Sequence, residues 1–251
     1  MNTKKMGLRE RKKLARRQEM LEAAMKIMTE DGFQALTIAR LAKETKAGLA
    51  GIYRYFENKI AIYIALHDWV LQRLQEVFDN SWIQAKEYHE AHDADHPEAE
   101  RLLFLLFVLI GTYIQHAKDS PAQHRMFTVF LSVQEILFNP EEREQAEGIL
   151  GEIMKQVTEV FHEAHTEGIF TEADSERQTF TLLYQLISHD LYFKRDILYR
   201  EELWARNLTF STMRSLFCAW GAKEESVTQS FELYLKFKEH QLAARDAVAE
   251  G

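Results

Sequence analysis

Between Thr37 and Lys59 the chain reads TIARLAKETKAGLAGIYRYFENK, which gathers Thr37, Arg40, Lys46, Tyr53, Arg54, Tyr55 and Lys59 within twenty-three residues. Hydroxyl, guanidinium and ammonium groups at this density suit phosphate oxygens. Arg40 and Lys46 are long enough to reach base edges as well. Gly48, Leu49 and Ala50 bring no hydrogen-bonding side chain, and Leu49 and Ala50 are suited to apolar contact with thymine methyl groups. Ahead of this segment Lys4, Lys5, Arg9, Arg11, Lys12, Lys13, Arg16 and Arg17 stand against Glu10 alone. Such an arm can follow phosphates or enter a minor groove. Its plain alternative is a solvated tail that aids solubility. The chemistry expected of these residues is recognition of double-stranded DNA.

Local signals say how they are positioned. Thr37 is a good N-cap, because its hydroxyl can accept from orphan backbone N–H groups. Ile38, Leu41 and Ala42 follow at i, i+3, i+4 and give one apolar face. Lys46, Ala47 and Gly48 interrupt that pattern as a turn. Leu49, Ile52, Tyr53 and Phe56 resume it, and Phe56 reads as core. Upstream, Met20, Leu21, Ala24, Ile27 and Met28 form a stripe that stops at Asp31-Gly32. Three helices therefore fit into the first sixty residues, and the last two have the form of a helix-turn-helix, which places one helix in the major groove.

Charge divides the chain along the same line. Residues 1–59 hold 14 Lys and Arg against 7 Asp and Glu, a net of +7, while the whole chain carries −8, leaving −15 on residues 60–251. A basic unit on an acidic body suits a DNA-binding head on a solvated effector domain.

On these residues the segment Gln18–Leu66 resembles the DNA-binding domain of the TetR (tetracycline-repressor-like) family of bacterial transcriptional regulators. The matching pieces are Met20-Leu21 with Ala24, Ile27, Met28 and Gly32, then Thr37-Ile38 and Leu41-Ala42-Lys43-Glu44, and last Ile52-Tyr53-Arg54-Tyr55-Phe56 with Asn58-Lys59. The resemblance implies a homodimeric repressor whose C-terminal helices pair, whose body binds a small molecule, and whose heads then leave an operator. It implies phosphate contacts for Thr37, Tyr53 and Lys59, and for Tyr55 the same role or a bracing one. Three departures stand out: Lys46 and Ala50 where the family usually has Gly, Gly48 where it has a Ser or Thr cap, and Gly51 where it often has a small polar residue. Readout is expected to lean on Arg40, Lys46, the basic arm and DNA shape.

The rest of the chain reads as all-α. Helices are expected at about 59–88, 98–117, 121–138, 140–167, 173–199, 208–220 and 224–247, with a polar loop at 89–97. The three prolines, Pro97, Pro121 and Pro140, each sit near a helix start. The apolar run from Leu102 to Ile114 is too short to span a bilayer and reads as a buried core helix. No signal peptide opens the sequence, and the single Cys218 excludes an internal disulfide, so the expected compartment is the cytoplasm. The fold expected is thus a three-helix DNA-binding domain with its basic arm over residues 1–58, followed by a larger helical bundle over residues 59–251 for effector binding and dimerisation. Apolar faces on the last helices (Phe180, Leu183, Tyr184, Ile187, Leu191 and Leu208, Met213, Leu216, Phe217, Trp220) suit either a subunit interface or a core.

Candidates to line an effector pocket are Phe104, Phe107, Tyr113, Met126, Phe130, Tyr184 and His189, for which plain core is the simpler reading. His189-Asp190 interrupts an apolar helix, and the Phe, Leu and Met content favours a hydrophobic effector. His89, His92 and His96, with Asp93 and Asp95, would share a face if helical, but the segment reads as a loop and no metal or cofactor is expected. Glu159 with His162 is a lone Glu-x-x-His pair, short of a di-iron set. No nucleophile elbow, P-loop or dinucleotide glycine pattern appears, so no enzyme is expected. Two alternatives stay open: a helical enzyme or adaptor with an inert head, and a regulator without an effector.

Overall fold

The computed structural model describes residues 7–92, 97–137, 140–171, 174–193 and 202–249. Among them the chain forms ten α-helices and no strand: α1 (Leu8–Asp31), α2 (Ile38–Glu44), α3 (Leu49–Tyr53), α4 (Lys59–His92), α5 (Glu98–Asp119), α6 (Pro121–Leu137), α7 (Pro140–Thr166), α8 (Ser175–Phe193), α9 (Glu202–Ala219) and α10 (Glu224–Ala249). Two compact units emerge. The first joins Met1–Leu74 to His116–Leu150, and the second joins Gln75–Gln115 to Gly151–Gly251.

In the first unit α1 presents Met20, Leu21, Ala24, Ile27 and Met28 inward, the stripe the sequence shows. The helix itself begins twelve residues before that stripe. Its first turns, RERKKLARR, lack an apolar face but are rich in strong helix formers, so Arg9 to Arg17 lie on a helix rather than on an extended arm. Lys4 and Lys5 fall outside the described residues. Helix α6 packs against α1, and its Met126, Phe127 and Phe130 are buried. Three histidines that the sequence does not single out are also buried in this unit. His67 meets the Phe130 ring edge-on at 5.0 Å, and His116 and His124 lie 6.1 Å apart between ring centroids. Burial first, then the neighbouring His124, hold the His116 imidazole below the ordinary histidine range, with Asp119 pulling the other way.

The second unit is organised on α5. Residues 102–110 are buried on every side, which is what a helix apolar all round requires. Phe107 meets Phe217 and Phe231 at 5.4 and 5.2 Å between ring centroids. Helix α10 adds Leu233 and Phe237 to a cluster with Phe104, Leu105, Val108 and Ala85. Gly111 admits this docking: a Cβ there would stand 2.0 Å from the Tyr234 hydroxyl oxygen. By length and composition alone Ala99–Asp119 of α5 could cross a membrane, but 67% of that window is buried inside the protein, in keeping with the core helix expected here.

Two more boundaries move. Helix α4 continues to His92, so His89 and His92 are not loop residues. The His92 ring stacks on Tyr88 at 4.3 Å and its Nδ1 lies 3.0 Å from the Tyr88 carbonyl oxygen, which extends the helix by one turn. Helix α9 starts at Glu202 rather than near 208. Asp93, Asp95 and His96 lie outside the described residues. Among the described residues no group of three or more His, Cys, Asp and Glu side chains could hold a metal ion.

Candidate DNA-binding head

The head is built from short-range chemistry. Thr37 caps α2, its Oγ1 accepting from the Arg40 backbone N–H at 3.1 Å. The far end of α2 closes as a Schellman turn: the Lys46 N–H donates to the Lys43 carbonyl at 3.2 Å and the Ala47 N–H to the Ala42 carbonyl at 2.9 Å. The residue between must enter the left-handed region, and here it is Lys46, at φ +51°. A non-glycine residue there is held against roughly 1–2 kcal/mol of steric preference. Arg16 donates to the Thr45 carbonyl at 2.7 Å, satisfying another α2 terminus from α1. Lys26 pairs with Glu44 at 3.0 Å, a second tie between the same helices.

Helix α3 is five residues long and divides its side chains cleanly. Ile52 is fully buried and Phe56, just beyond, nearly so, with the Arg17 guanidinium 5.4 Å over its ring. Leu49 and Tyr53 are more than half exposed, at 53% and 56%. Gly48 supplies the N-cap position but no capping side chain. The outward face therefore carries Leu49, Ala50 and Tyr53, with Lys46 just before it. Arg54 follows, donating to the Tyr55 hydroxyl at 3.3 Å with its guanidinium 5.1 Å from that ring. Asn58 caps α4 by accepting from Ala61 N–H at 2.8 Å, and Lys59 places its ammonium 5.2 Å over the Tyr63 ring. Tyr63 in turn stacks on Phe33 at 4.5 Å and donates to its carbonyl.

Apart from Lys4 and Lys5, which lie outside the described residues, the residues predicted to contact DNA fall on one small unit, but not all in the same condition. Tyr53, Lys46, Leu49 and Ala50 are exposed. Thr37 uses its acceptor for capping and keeps its hydroxyl proton. Arg40 is ion-paired to Asp31, and Tyr55 is half-buried beside Arg54, an arrangement that favours its bracing role. Arg16 and Arg17 serve the packing of α2 and Phe56, which charge counting does not reveal.

The candidate effector residues do not form a single group within either unit. Phe104, Phe107 and Tyr113 are buried in the second unit, Met126 and Phe130 in the first. Tyr184 is 73% exposed and Phe180 63%, so the placing of Tyr184 among interior pocket residues does not hold. On α8 the inward stripe is Ser175, Gln178, Thr179, Leu182 and Leu186, and residues 180 and 184 fall on the opposite side. The His189 side chain lies outside the described residues. Gln178 escaped the sequence reading, although its i, i+4, i+8 relation to Leu182 and Leu186 puts it in an apolar stripe.

A helix-turn-helix with an exposed, basic-flanked second helix, on a chain that is all-helical among the described residues, defines a DNA-binding regulator class. Residues 20–66 match the family model of the bacterial regulatory proteins of the tetR family. No curated protein matches the sequence. Among solved structures, AibR in complex with isovaleryl coenzyme A and operator DNA is 16% identical, with 77% of this chain and 95% of that one covered and a TM-score of 0.58. The fatty acid degradation regulator FadR from Bacillus halodurans is 17% identical, with 88% and 100% covered and a TM-score of 0.60. A TetR-family transcriptional regulator from Marinobacter aquaeolei VT8 is 13% identical, with 88% and 98% covered and a TM-score of 0.59. At these identities the likeness is one of fold.

Proposed function

We propose that the protein is a DNA-binding transcriptional regulator, a repressor released from a pseudo-palindromic operator by a small hydrophobic effector. The observation that carries this reading is the outward face of α3 and its flanks, Lys46, Leu49, Ala50, Tyr53 and Lys59, on a head backed by buried Ile52 and Phe56. Phosphate contacts come from Thr37, Tyr53, Lys59 and the N-terminal Lys4 and Lys5, and base or phosphate contacts from Arg40, Lys46 and Arg54. Residues 1–58 act as the DNA-binding part and residues 59–251 as the effector and dimerisation part. The protein works in the cytoplasm, without cofactor or metal, and catalyses no reaction.

A homodimer through the C-terminal helices is supported by Phe180 and Tyr184, two exposed aromatic side chains one turn apart on α8. Two-fold symmetry would present the two heads to successive major grooves, about 34 Å apart. An effector acts by binding a state with another head spacing more tightly than the DNA-bound one. A ligand of acyl type is supported by the AibR structure, which holds isovaleryl coenzyme A together with operator DNA.

The test is fluorescence anisotropy of the purified protein against DNA from upstream of its own gene and against a scrambled duplex, at several salt concentrations. Tight binding to the upstream DNA alone, with a steep salt slope, is expected. Absence of binding to either duplex at low salt would refute the reading.

A further inference from the structure

The sharpest chemical anomaly in the second unit is on α8. Gln178 is 1% exposed, and neither its Nε2 nor its Oε1 has a hydrogen-bond partner. One turn earlier the Ser175 hydroxyl, 8% exposed, is unpartnered as well. The residue beside them behaves differently. Thr179 donates to the Ser175 carbonyl at 2.8 Å and lies 3.0 Å from the Thr158 hydroxyl of α7, which itself reaches the Met154 carbonyl. So the chain completes the hydrogen bonds of its threonines at this seam and leaves a whole carboxamide open. A carboxamide shut away from water with no bond made is among the costliest arrangements a core can hold. Such an exception asks for an explanation, and a bound molecule that completes the bonds is one.

We infer that Gln178, seconded by Ser175, is the polar anchor of the effector site, and that it takes a neutral ligand presenting a donor and an acceptor side by side, as a carboxamide or lactam does. The inference rests on the reading of the protein as a ligand-responsive regulator and adds the ligand's chemical class. Geometry favours the pairing: a primary amide offers one N–H and one C=O on one edge, and so does an amide ligand, giving two parallel hydrogen bonds. Charge favours neutrality. No Lys or Arg is buried among the described residues of either unit, so a carboxylate or phosphate brought to Gln178 would find no buried Lys or Arg to offset its desolvation. The ligand's body is apolar. Phe161, one turn along α7 from Thr158, opens an aromatic set with Phe170 and Trp220 at 5.8 and 5.6 Å between ring centroids.

The experiment uses the full chain, with octanamide, octanoate and 1-octanol as probes, and reads both thermal unfolding and release of the upstream DNA. Octanamide is expected to raise the unfolding temperature and release DNA at concentrations at least tenfold below those octanoate needs, with 1-octanol between them. Gln178→Leu is expected to unfold at a higher temperature than the wild type when no probe is present, to bind DNA within twofold of it, and to lose tenfold or more in its response to octanamide. An equal octanamide response in Gln178→Leu, a preference for octanoate, or no octanamide response in the wild type would overturn the inference. So would a lower unfolding temperature for the ligand-free variant, since that marks a carboxamide already satisfied by buried water. Loss of DNA binding in the wild type would instead strike the regulator reading, while the unfolding temperatures still report on Gln178.

Discussion

The head and the core of the second unit are both made of helices, and they use those helices in opposite ways. In the head, a five-residue helix buries one face through Ile52 and turns Leu49 and Tyr53 to solvent. In the second unit, α5 buries nine consecutive residues, 102–110, and presents almost nothing. The head's turns are set over short stretches of sequence by caps, Thr37 to Arg40, Lys43 to Lys46 and Asn58 to Ala61, with a few side chains of α1 tying them together. The second unit's core is joined by aromatic contacts between residues more than a hundred positions apart, such as Phe107 with Phe217 and Phe231. Local chemistry gives a surface whose task can be read. Long-range packing gives stability and hides its purpose.

Four experiments test that contrast. The largest effect belongs to the core. Phe107→Ala should cost about 3–5 kcal/mol of stability by transfer and cavity terms, read as a large drop in denaturant midpoint. The folded fraction should still bind DNA with unchanged affinity, and a parallel loss of affinity would break the division of labour. Next, Lys59→Ala should weaken binding to all duplexes by roughly tenfold and reduce the slope of log affinity against log salt by about one. Its unfolding midpoint should stay within about 0.5 kcal/mol of wild type, as surface substitutions do. A salt slope left unchanged would remove Lys59 from the phosphate contacts.

Lys46→Gly should separate the two properties within one residue. Relieving the left-handed backbone should stabilise the chain by about 1 kcal/mol, while loss of the cation weakens DNA binding. Stability and affinity moving together would show that Lys46 serves the turn alone. The smallest effect is one of pH. An unfolded histidine takes up its proton near 6.5, whereas burial delays uptake by folded His116 to lower pH. The folded state thus binds fewer protons in that interval. Stability is full above pH 6.5 and declines as pH falls through it toward the folded value. His116→Gln should flatten the fall in unfolding temperature between about pH 7.5 and 5.5, and an unaltered slope would assign the loss to other groups.

Much of the fold was legible because helix signals are local. The starts at Lys59, Glu98, Pro121, Pro140 and Glu224 follow from caps and prolines that act within one turn. Boundaries failed where plain propensity or a contact within one turn decided: α1 runs back to Leu8 without an apolar stripe, and α4 runs on to His92, whose ring stacks on Tyr88 of the same helix. In the head, residue types named the chemistry, but not that Arg16 and Arg17 would be committed to Thr45 and Phe56, because those partners lie about thirty to forty positions away. On α8 the apolar residues pointed to a face, yet periodicity does not say which side turns inward. Tyr184 went outward and Gln178 inward, and the decisive fact about Gln178, the bonds it does not make, has no counterpart in a sequence.

The sparse opening of α3 has a consequence for how such a regulator changes its address. Gly48, Leu49, Ala50 and Gly51 form a nearly blank reading head. A Cβ at Gly48 would meet nothing within 4 Å, and one at Gly51 only the Ala47 Cβ at 3.4 Å. New side chains can therefore be written here without repacking the protein that carries them. A four-residue library at these positions is the place to begin when new side chains are to be added to this face of the head.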